Sequence, residues 1–421
     1  MTIAMNSAIY QYINRKFTSF LLISFLFFCF FPYLRILPLN VDKQPNALIL
    51  SFLIVVFLGR KKVVKDVAWL LFVLTIATIC MFFSWEDWLV LQIWTNYASL
   101  FFIAYASYIA LNYLGGIPYA LFKWCIYIWF IVGAIQYFIY PSFMDFILYR
   151  SDNEWMLESG RGVTSLAVEP TNYGICCLFL QIINYLNFRN QSAYKLLTLL
   201  LLVQIVLFSL SSTCFFCMAV SAFSYMLYKI CMSKHRFKWL FLLIIVSYIV
   251  YNILLYLLEN IDIRFTKLLN YLLEDPTVFF INHGNHRFGV SFFSLKGFFD
   301  NWGMPHGLGF FNKYVEQVIK NPTYAPLIGP MVLAERKTFT ALGGALFELG
   351  VFAFPIYYVI VSAFKKISFW MLRADFYLFL LIALMLNTTN FNNAILSFIV
   401  GNLIYLKRSS FVIIANTKII L

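Results

Sequence analysis

A succession of long apolar runs separated by short polar ones constrains this chain more than any other feature. Candidate spanning stretches lie at 17–36, 44–59, 64–84, 88–112, 117–140, 173–188, 195–210, 212–230, 238–258, 341–363, 374–389 and 391–406. A helix crosses a bilayer core with roughly 20 mostly apolar residues. Backbone in lipid must satisfy its own hydrogen bonds, so such runs predict helices. Composition agrees: 62% of residues are hydrophobic and 12% charged, where soluble domains run near ~25% charged. The expected fold is all-α and polytopic, with about twelve transmembrane helices and two large outer loops. The break between 195–210 and 212–230 rests on Ser209–Thr213 alone.

The net charge of +13 reads as topology, with no nucleic-acid partner expected. Lys and Arg collect on cytoplasmic segments of membrane proteins. With the N-terminus inside, the inner segments hold Arg15, Lys16, Arg60, Lys61, Lys62 and most later Lys and Arg, through Lys407 and Arg408. The short outer segments hold only Arg35 and Lys43, with Arg150 and Arg161 in the mid-length loop. Both termini are therefore expected inside. The layout is five spans over 1–140, an outer loop over 141–172, spans six to nine over 173–258, a large outer loop over 259–340, and the last three spans and C-terminal tail over 341–421. Arg15 and Lys16 precede an apolar run with no small-residue cleavage site, so that run reads as an uncleaved first helix. In the second loop, Ile261–Leu273 and Phe288–Phe299 are amphipathic and are expected to lie along the membrane surface.

The eight cysteines all sit in or beside apolar runs, so no disulfide framework or zinc ribbon follows from them. Cys214-x-x-Cys217 has a redox spacing, but its place in an apolar run favours packing. His283-x-x-His286 lacks a third zinc ligand at a convincing spacing. There is no Asp-x-Asp and no phosphate loop with its Lys-Ser/Thr. No metal or other cofactor is expected.

Ionisable residues concentrate in the two loops. The first contains Gly160-Arg161-Gly162 and ends in Glu169-Pro170-Thr171-Asn172-Tyr173-Gly174 at an expected helix start. Charges against a membrane segment are expensive and mark sites. Arg161, and Arg287 in the second loop, each offer a guanidinium fork suited to phosphate oxygens; both also suit lipid-headgroup contacts. Glu169 is either a charge favoured by the helix dipole or a carboxylate that binds a hydroxyl or takes its proton. His306, in Met304-Pro305-His306-Gly307-Leu308-Gly309, is a base or a turn residue. Arg150, Asn172, Tyr173, Arg264, Arg336 and Glu348 complete the candidate binding set.

Arg161-Gly162…Glu169-Pro170-Thr171-Asn172-Tyr173-Gly174 resembles the "R-x-x-G…E-P-x-x-x-G" loop of bacterial O-antigen polymerases of the Wzy type. Arg287 followed by Pro305-His306-Gly307-Leu308-Gly309-Phe310 resembles the "R…P-x-G-x-G" segment shared with O-antigen ligases. Ala341–Gly350, with Glu348-Leu349-Gly350, resembles the "L…E-x-G" helix of both groups. The ligases carry a His shortly before that helix. Arg336-Lys337-Thr338-Phe339-Thr340 has none, which favours a polymerase and leaves the base open between Glu169 and His306.

The resemblance implies a C-type-like glycosyltransferase of the bacterial inner membrane with periplasmic loops and a periplasmic active site. Its substrate would be an oligosaccharide repeat unit on undecaprenyl pyrophosphate, and the growing glycan would pass to the non-reducing-end hydroxyl of the next unit. Arg161 and Arg287 would stabilise the departing pyrophosphate. Membrane lipids and a separate chain-length regulator are the partners the family implies. The rival expectations are an O-antigen ligase and a lipid-linked oligosaccharide flippase or transporter. The latter places ionisable groups within spans near the midplane, whereas here they gather in the loops.

Overall fold

The computed structural model describes residues 2–37, 39–59, 63–149, 153–158, 160–232, 234, 236–260, 273–274, 289–321, 324, 338, 340–368, 374–387 and 389–418. They are helical, with no strand among the described residues. The helices are α1 (Thr2–Phe30), α2 (Asn46–Leu58), α3 (Lys65–Phe83), α4 (Trp88–Leu114), α5 (Tyr119–Phe138), α6 (Asn153–Glu158), α7 (Pro170–Phe188), α8 (Tyr194–Val203), α9 (Ser212–Met232) and α10 (Arg236–Asn260). After the second loop begins come α11 (Val290–Asp300), α12 (Phe311–Val318), α13 (Ala341–Leu349), α14 (Phe354–Ser368), α15 (Ala374–Asn387) and α16 (Ala394–Lys418).

Six stretches are long and apolar enough to cross a membrane: Lys65–Phe83, Trp88–Leu114, Tyr119–Phe138, Ser212–Met232, Arg236–Ile253 and Ala341–Ser368. The protein is a helical membrane protein. Lys16–Phe30, Asn46–Leu58, Tyr194–Ser209 and Ala374–Asn387 are apolar but shorter.

Three boundaries differ from the sequence expectation for local reasons. Helix α1 stops at Phe30, before Pro32, rather than running to 36; a proline pushes the residue before it out of helical geometry. The stretch 341–363 is broken by a 3-10 turn at Gly350–Ala353. Helix α8 runs into a π-helical turn, Gln204–Ser209, closed by Leu210 at φ +43°. Phe288–Phe299 is met by α11, while Ile261–Leu273 lies almost wholly outside the described residues.

Helix α4 is central and packs on α2, α3 and α16. Gly401 lets α16 approach α4 closely, since a Cβ there would stand 2.3 Å from the Ala104 carbonyl oxygen. Small residues permit such backbone contact where apolar burial alone does not drive association. The Trp129 indole of α5 donates to the Phe30 carbonyl at 3.1 Å and ties α5 to α1.

The connecting segments sort to two ends. At one end, Arg35 N donates to the Ile147 carbonyl at 2.8 Å, Val163 N to the Phe208 carbonyl at 2.8 Å, and Lys43 Nζ to Asn390 Oδ1. Asn392 lies against Thr95 and Ser99. Lys313 pairs with Glu86. At the other end, Lys407 pairs with Asp66 at 2.8 Å, Lys229 with Asp375 at 3.7 Å, and Arg408 donates to the Tyr108 hydroxyl.

Candidate functional site

The first loop is a built structure. Gly162 has φ +81°, and a Cβ on it would meet the Phe208 carbonyl oxygen at 2.3 Å. That carbonyl belongs to the π-helical turn and accepts from Val163 N at 2.8 Å. Only glycine combines this φ with this approach. Ser165 holds a left-handed φ of +50°, a conformation that persists where its surroundings over-determine it. Here Gln136 of α5 does so: its Oε1 accepts from Ser165 N at 2.6 Å and its Nε2 donates to Ser165 O at 3.1 Å. Ser165 Oγ donates to the Trp129 carbonyl at 2.8 Å. Asn153 Oδ1 accepts from Thr164 N at 2.8 Å, and its Nδ2 donates to Asp145 at 2.7 Å. The turn from Gly162 to Val168 is buried.

Arg161 and Glu169 stand at the two edges of this turn, both half-buried. Arg161 N donates to the Met156 carbonyl at 2.9 Å, and its guanidinium lies 5.9 Å from the Trp155 ring centroid. Glu169 is the N-cap of α7 in extended conformation, with Pro170 opening the helix. Proline suits that first position because its missing N–H would have no intrahelical partner there. The Glu169 side chain does not cap the helix. It acts electrostatically on the buried Tyr33 phenol, as does Asp42.

The second group lies where the second loop meets α13. His306 N donates to the Phe347 carbonyl at 3.1 Å and Gly307 N to the Glu348 carbonyl at 3.2 Å. Val351 N donates to the Gly303 carbonyl at 2.8 Å. Gly350 at φ +59° permits this, since a Cβ there would stand 2.2 Å from that same Gly303 oxygen. The Glu348 carboxylate is buried and accepts from the Tyr97 hydroxyl at 2.5 Å and the Thr338 hydroxyl at 3.0 Å. The His306 ring stacks on Phe347, with centroids 4.3 Å apart, and its Nε2 is 2.9 Å from the Gly297 carbonyl. A nitrogen facing a carbonyl carries the proton, so this geometry holds His306 in packing.

The sequence candidates therefore separate. Arg161 and Glu169 flank one rigid turn; His306 and Glu348 belong to a second, packed unit. Asn172 is half-buried in the first turn of α7. Tyr173, expected to bind substrate, is instead a core residue. It is fully buried, stacked on Trp129, and its hydroxyl lies 2.9 Å from Gln204 Oε1. Glu348, also expected to bind substrate, is enclosed by protein hydroxyls. Arg150, Arg264, Arg287 and Arg336 lie outside the described residues, as do His283 and His286. Cys214 and Cys217 are buried, Cys214 against Gly174.

Sequence reasoning did not foresee the contact of Lys43 with Asn390, in the segment 387–393. That segment, Asn and Thr interrupted only by Phe391, lies between two apolar helices. A polar run in that position is the one signal that pointed to it.

No protein-family model matches the chain, and no curated protein matches it in sequence.

Proposed function

We propose that this protein is an O-antigen polymerase of the inner membrane, moving an oligosaccharide from undecaprenyl pyrophosphate to a hydroxyl of another lipid-linked repeat unit. The observation that carries this reading is the rigid turn that sets a guanidinium, Arg161, and a carboxylate, Glu169, at one end of a helical membrane bundle. In this reading about twelve helices cross the membrane with both termini cytoplasmic. The sorting of connecting segments to two ends supports it, with Lys229, Lys365, Lys366, Lys407 and Arg408 on helices meeting at the end opposite the first loop.

The chemistry balances with groups of this kind. The bond between the donor sugar's anomeric carbon and its phosphate oxygen breaks, and a bond from the acceptor oxygen to that carbon forms. Glu169 takes the hydroxyl proton. Undecaprenyl pyrophosphate leaves with the bonding electron pair, its growing charge met by Arg161 and, from the second loop, Arg287. A donor already placed costs no reorganisation as charge develops, and losing one lowers turnover by about 100-fold or more. His306 is the weaker choice of base because its Nε2 is held by the Gly297 carbonyl. The absence of a His before α13 favours the polymerase over the ligase.

The test is the polysaccharide ladder of cells lacking this protein, complemented with wild type, Arg161→Ala, Arg287→Ala or Glu169→Gln at matched membrane levels. The expected result is a single repeat on lipid A-core in the deletion, a full ladder with wild type, and no ladder with the variants. Long polymer unattached to lipid A-core would identify a ligase. Lipid-linked units retained on the inner face would identify a flippase. Either outcome, or a full ladder from all three variants, overturns the proposal.

A further inference from the structure

The turn that follows α11 exposes large apolar side chains beside a membrane helix. Trp302 is 93% exposed and Phe299 72%, and Met304 is exposed with them. Trp302 also holds a left-handed φ of +54°. A bulky residue keeps such a backbone only where its surroundings impose it, and outliers of this kind gather at functional contacts.

Contacts along α11 fix how deep this turn lies. The helix starts at the first-loop end of the bundle, where the Ser291 hydroxyl donates to the Leu386 carbonyl at 2.8 Å, beside the last residue of α15. It then runs alongside α13 in the same direction: Ser294 lies against Gly343, Gly297 against the Phe347 ring and Gly303 against Val351. Those partners belong to Ala341–Ser368, a stretch long and apolar enough to cross a membrane. In it, the Phe352 ring is 6.4 Å from Phe72 of α3, and the Tyr358 ring 6.4 Å from Trp69. From Phe72 to Phe83, where α3 ends, is about 16 Å along the helix axis. The chain climbs back without helix from Met304 to Gly307, where a Cβ would stand 2.5 Å from Ser84 Oγ, just past the end of α3. Four extended residues reach at most about 14 Å. Both measures set the tip on the order of 10–15 Å below the end of α3. It is therefore deeper than Trp85 and Trp88, which are exposed there as in an interfacial aromatic belt.

The backbone of the tip is closed on itself and on α13. Asn301 N donates to the Gly297 carbonyl at 3.0 Å, Trp302 N to Phe299 at 3.1 Å, Gly303 N to Phe298 at 2.8 Å and Met304 N to Asn301 at 2.9 Å. Pro305 has no N–H, and the N–H groups of His306 and Gly307 go to the carbonyls of Phe347 and Glu348. Every N–H from 301 to 307 thus has an acceptor in the protein. Irregular backbone is tolerated at membrane depth only when its polar groups are satisfied in this way; a turn in water needs no such closure. The charged pair Lys296 and Asp300 is held toward α12, whose Tyr314 hydroxyl donates to Asp300 at 2.6 Å.

We propose that residues 290–307 form a re-entrant hairpin and that Phe299, Trp302 and Met304 at its tip contact lipid acyl chains in the leaflet at the first-loop end. The apolar surface continues from the tip onto Val351, Phe352 and Phe354, also exposed, and Phe298 joins the two by packing on Phe354 with ring centroids 6.1 Å apart. The tip extends the lipid-facing side of the span and wedges the second loop into the membrane. Helix α11 descends, where its amphipathic sequence alone suggests a helix lying flat. This membrane contact does not depend on glycosyl transfer.

The test uses the full chain in phosphatidylcholine nanodiscs and the emission of Trp302, read as the difference between wild type and Trp302→Phe. One quencher is bromine on the lipid acyl chains, the other iodide in the water. Brominated chains are expected to remove about half of the Trp302 emission, and iodide to leave it nearly unchanged. Phe299→Trp adds an indole at the same tip, and its added emission should follow the same order, which keeps the test standing where Trp302→Phe does not insert. Quenching by iodide that equals or exceeds quenching by brominated chains would place the tip in water. Quenching by neither would show that protein covers it. Either result, in whichever variant inserts, overturns the proposal.

Discussion

The Tyr97 hydroxyl donates to the Glu348 carboxylate at 2.5 Å across 251 positions of sequence. With the Thr338 hydroxyl on the other oxygen at 3.0 Å, this bond ties α4 to α13 inside the apolar core. A buried carboxyl so enclosed holds helices together.

Glu348→Ala is expected to strand two buried hydroxyls, each at roughly 1–3 kcal/mol. Glu348→Gln keeps an acceptor and the side-chain shape, so its cost should be smaller. Thermal unfolding in detergent, followed by tryptophan fluorescence, checks the order. Equal midpoints for wild type and Glu348→Ala would show that the contact contributes nothing.

Gly160 and Gly162 have similar left-handed backbones, at φ +69° and +81°. Only Gly162 meets other backbone; around Gly160 nothing lies within 4 Å. Gly160→Ala should therefore cost only the conformational term, about 1 kcal/mol. Gly162→Ala should also lift the loop off the π-helical turn. The expected readout is protease cleavage within residues 153–169 that rises sharply for Gly162→Ala and little for Gly160→Ala.

Asp300 makes the contact between α11 and α12 sensitive to acid. Burial works to raise its carboxyl, but hydrogen bonds from Lys296 and Tyr314 and the charges of Lys296 and His306 prevail and hold it below its ordinary value. A carboxyl depressed in the folded state adds stability above its unfolded pKa, near ~3.9. That stability is lost as the pH falls through the folded value. The Asp300 side chain is 41% exposed, so the effect is small and salt-sensitive. Hydrogen exchange of the α12 amides should quicken from pH 5 to pH 3 beyond the intrinsic rate change. Asp300→Asn should flatten that difference, and a wild-type response equal to the variant's would remove the assignment.

Lys407 and Asp66 form a largely buried pair at 2.8 Å, with side chains 16% and 9% exposed. Removing one partner from such a pair costs about 3–5 kcal/mol. Asp66→Asn should lower the midpoint of thermal unfolding clearly. The doubly exchanged variant, Asp66→Lys with Lys407→Asp, should recover part of the loss. No recovery would mean that geometry, rather than charge, sets the contact.

The helices were legible because apolar runs in a chain this poor in charge have few alternatives. The 3-10 break at Gly350 and the π-helical turn at Gln204 were not, since each answers to a partner elsewhere: the Gly303 carbonyl in one case, Gly162 and Val163 in the other. Arg161 and Glu169 could be picked out as ionisable residues beside an apolar run. Lys43 and Asn390 could not be paired, because no local pattern announces a contact across 347 positions. Tyr173 misled in the opposite sense. It sits inside the motif, yet packing on Trp129 claims it.

The bond between Lys43 and Asn390 also has a bearing on how the protein is made. The Arg161–Glu169 motif emerges early in synthesis, whereas Asn390 arrives just before the final helix. A nascent chain would carry the recognisable loop long before Lys43 can meet Asn390. On this geometry a polypeptide cut short upstream of Asn390 displays the motif without the contact from Lys43 to Asn390, which forms only once α15 has been made.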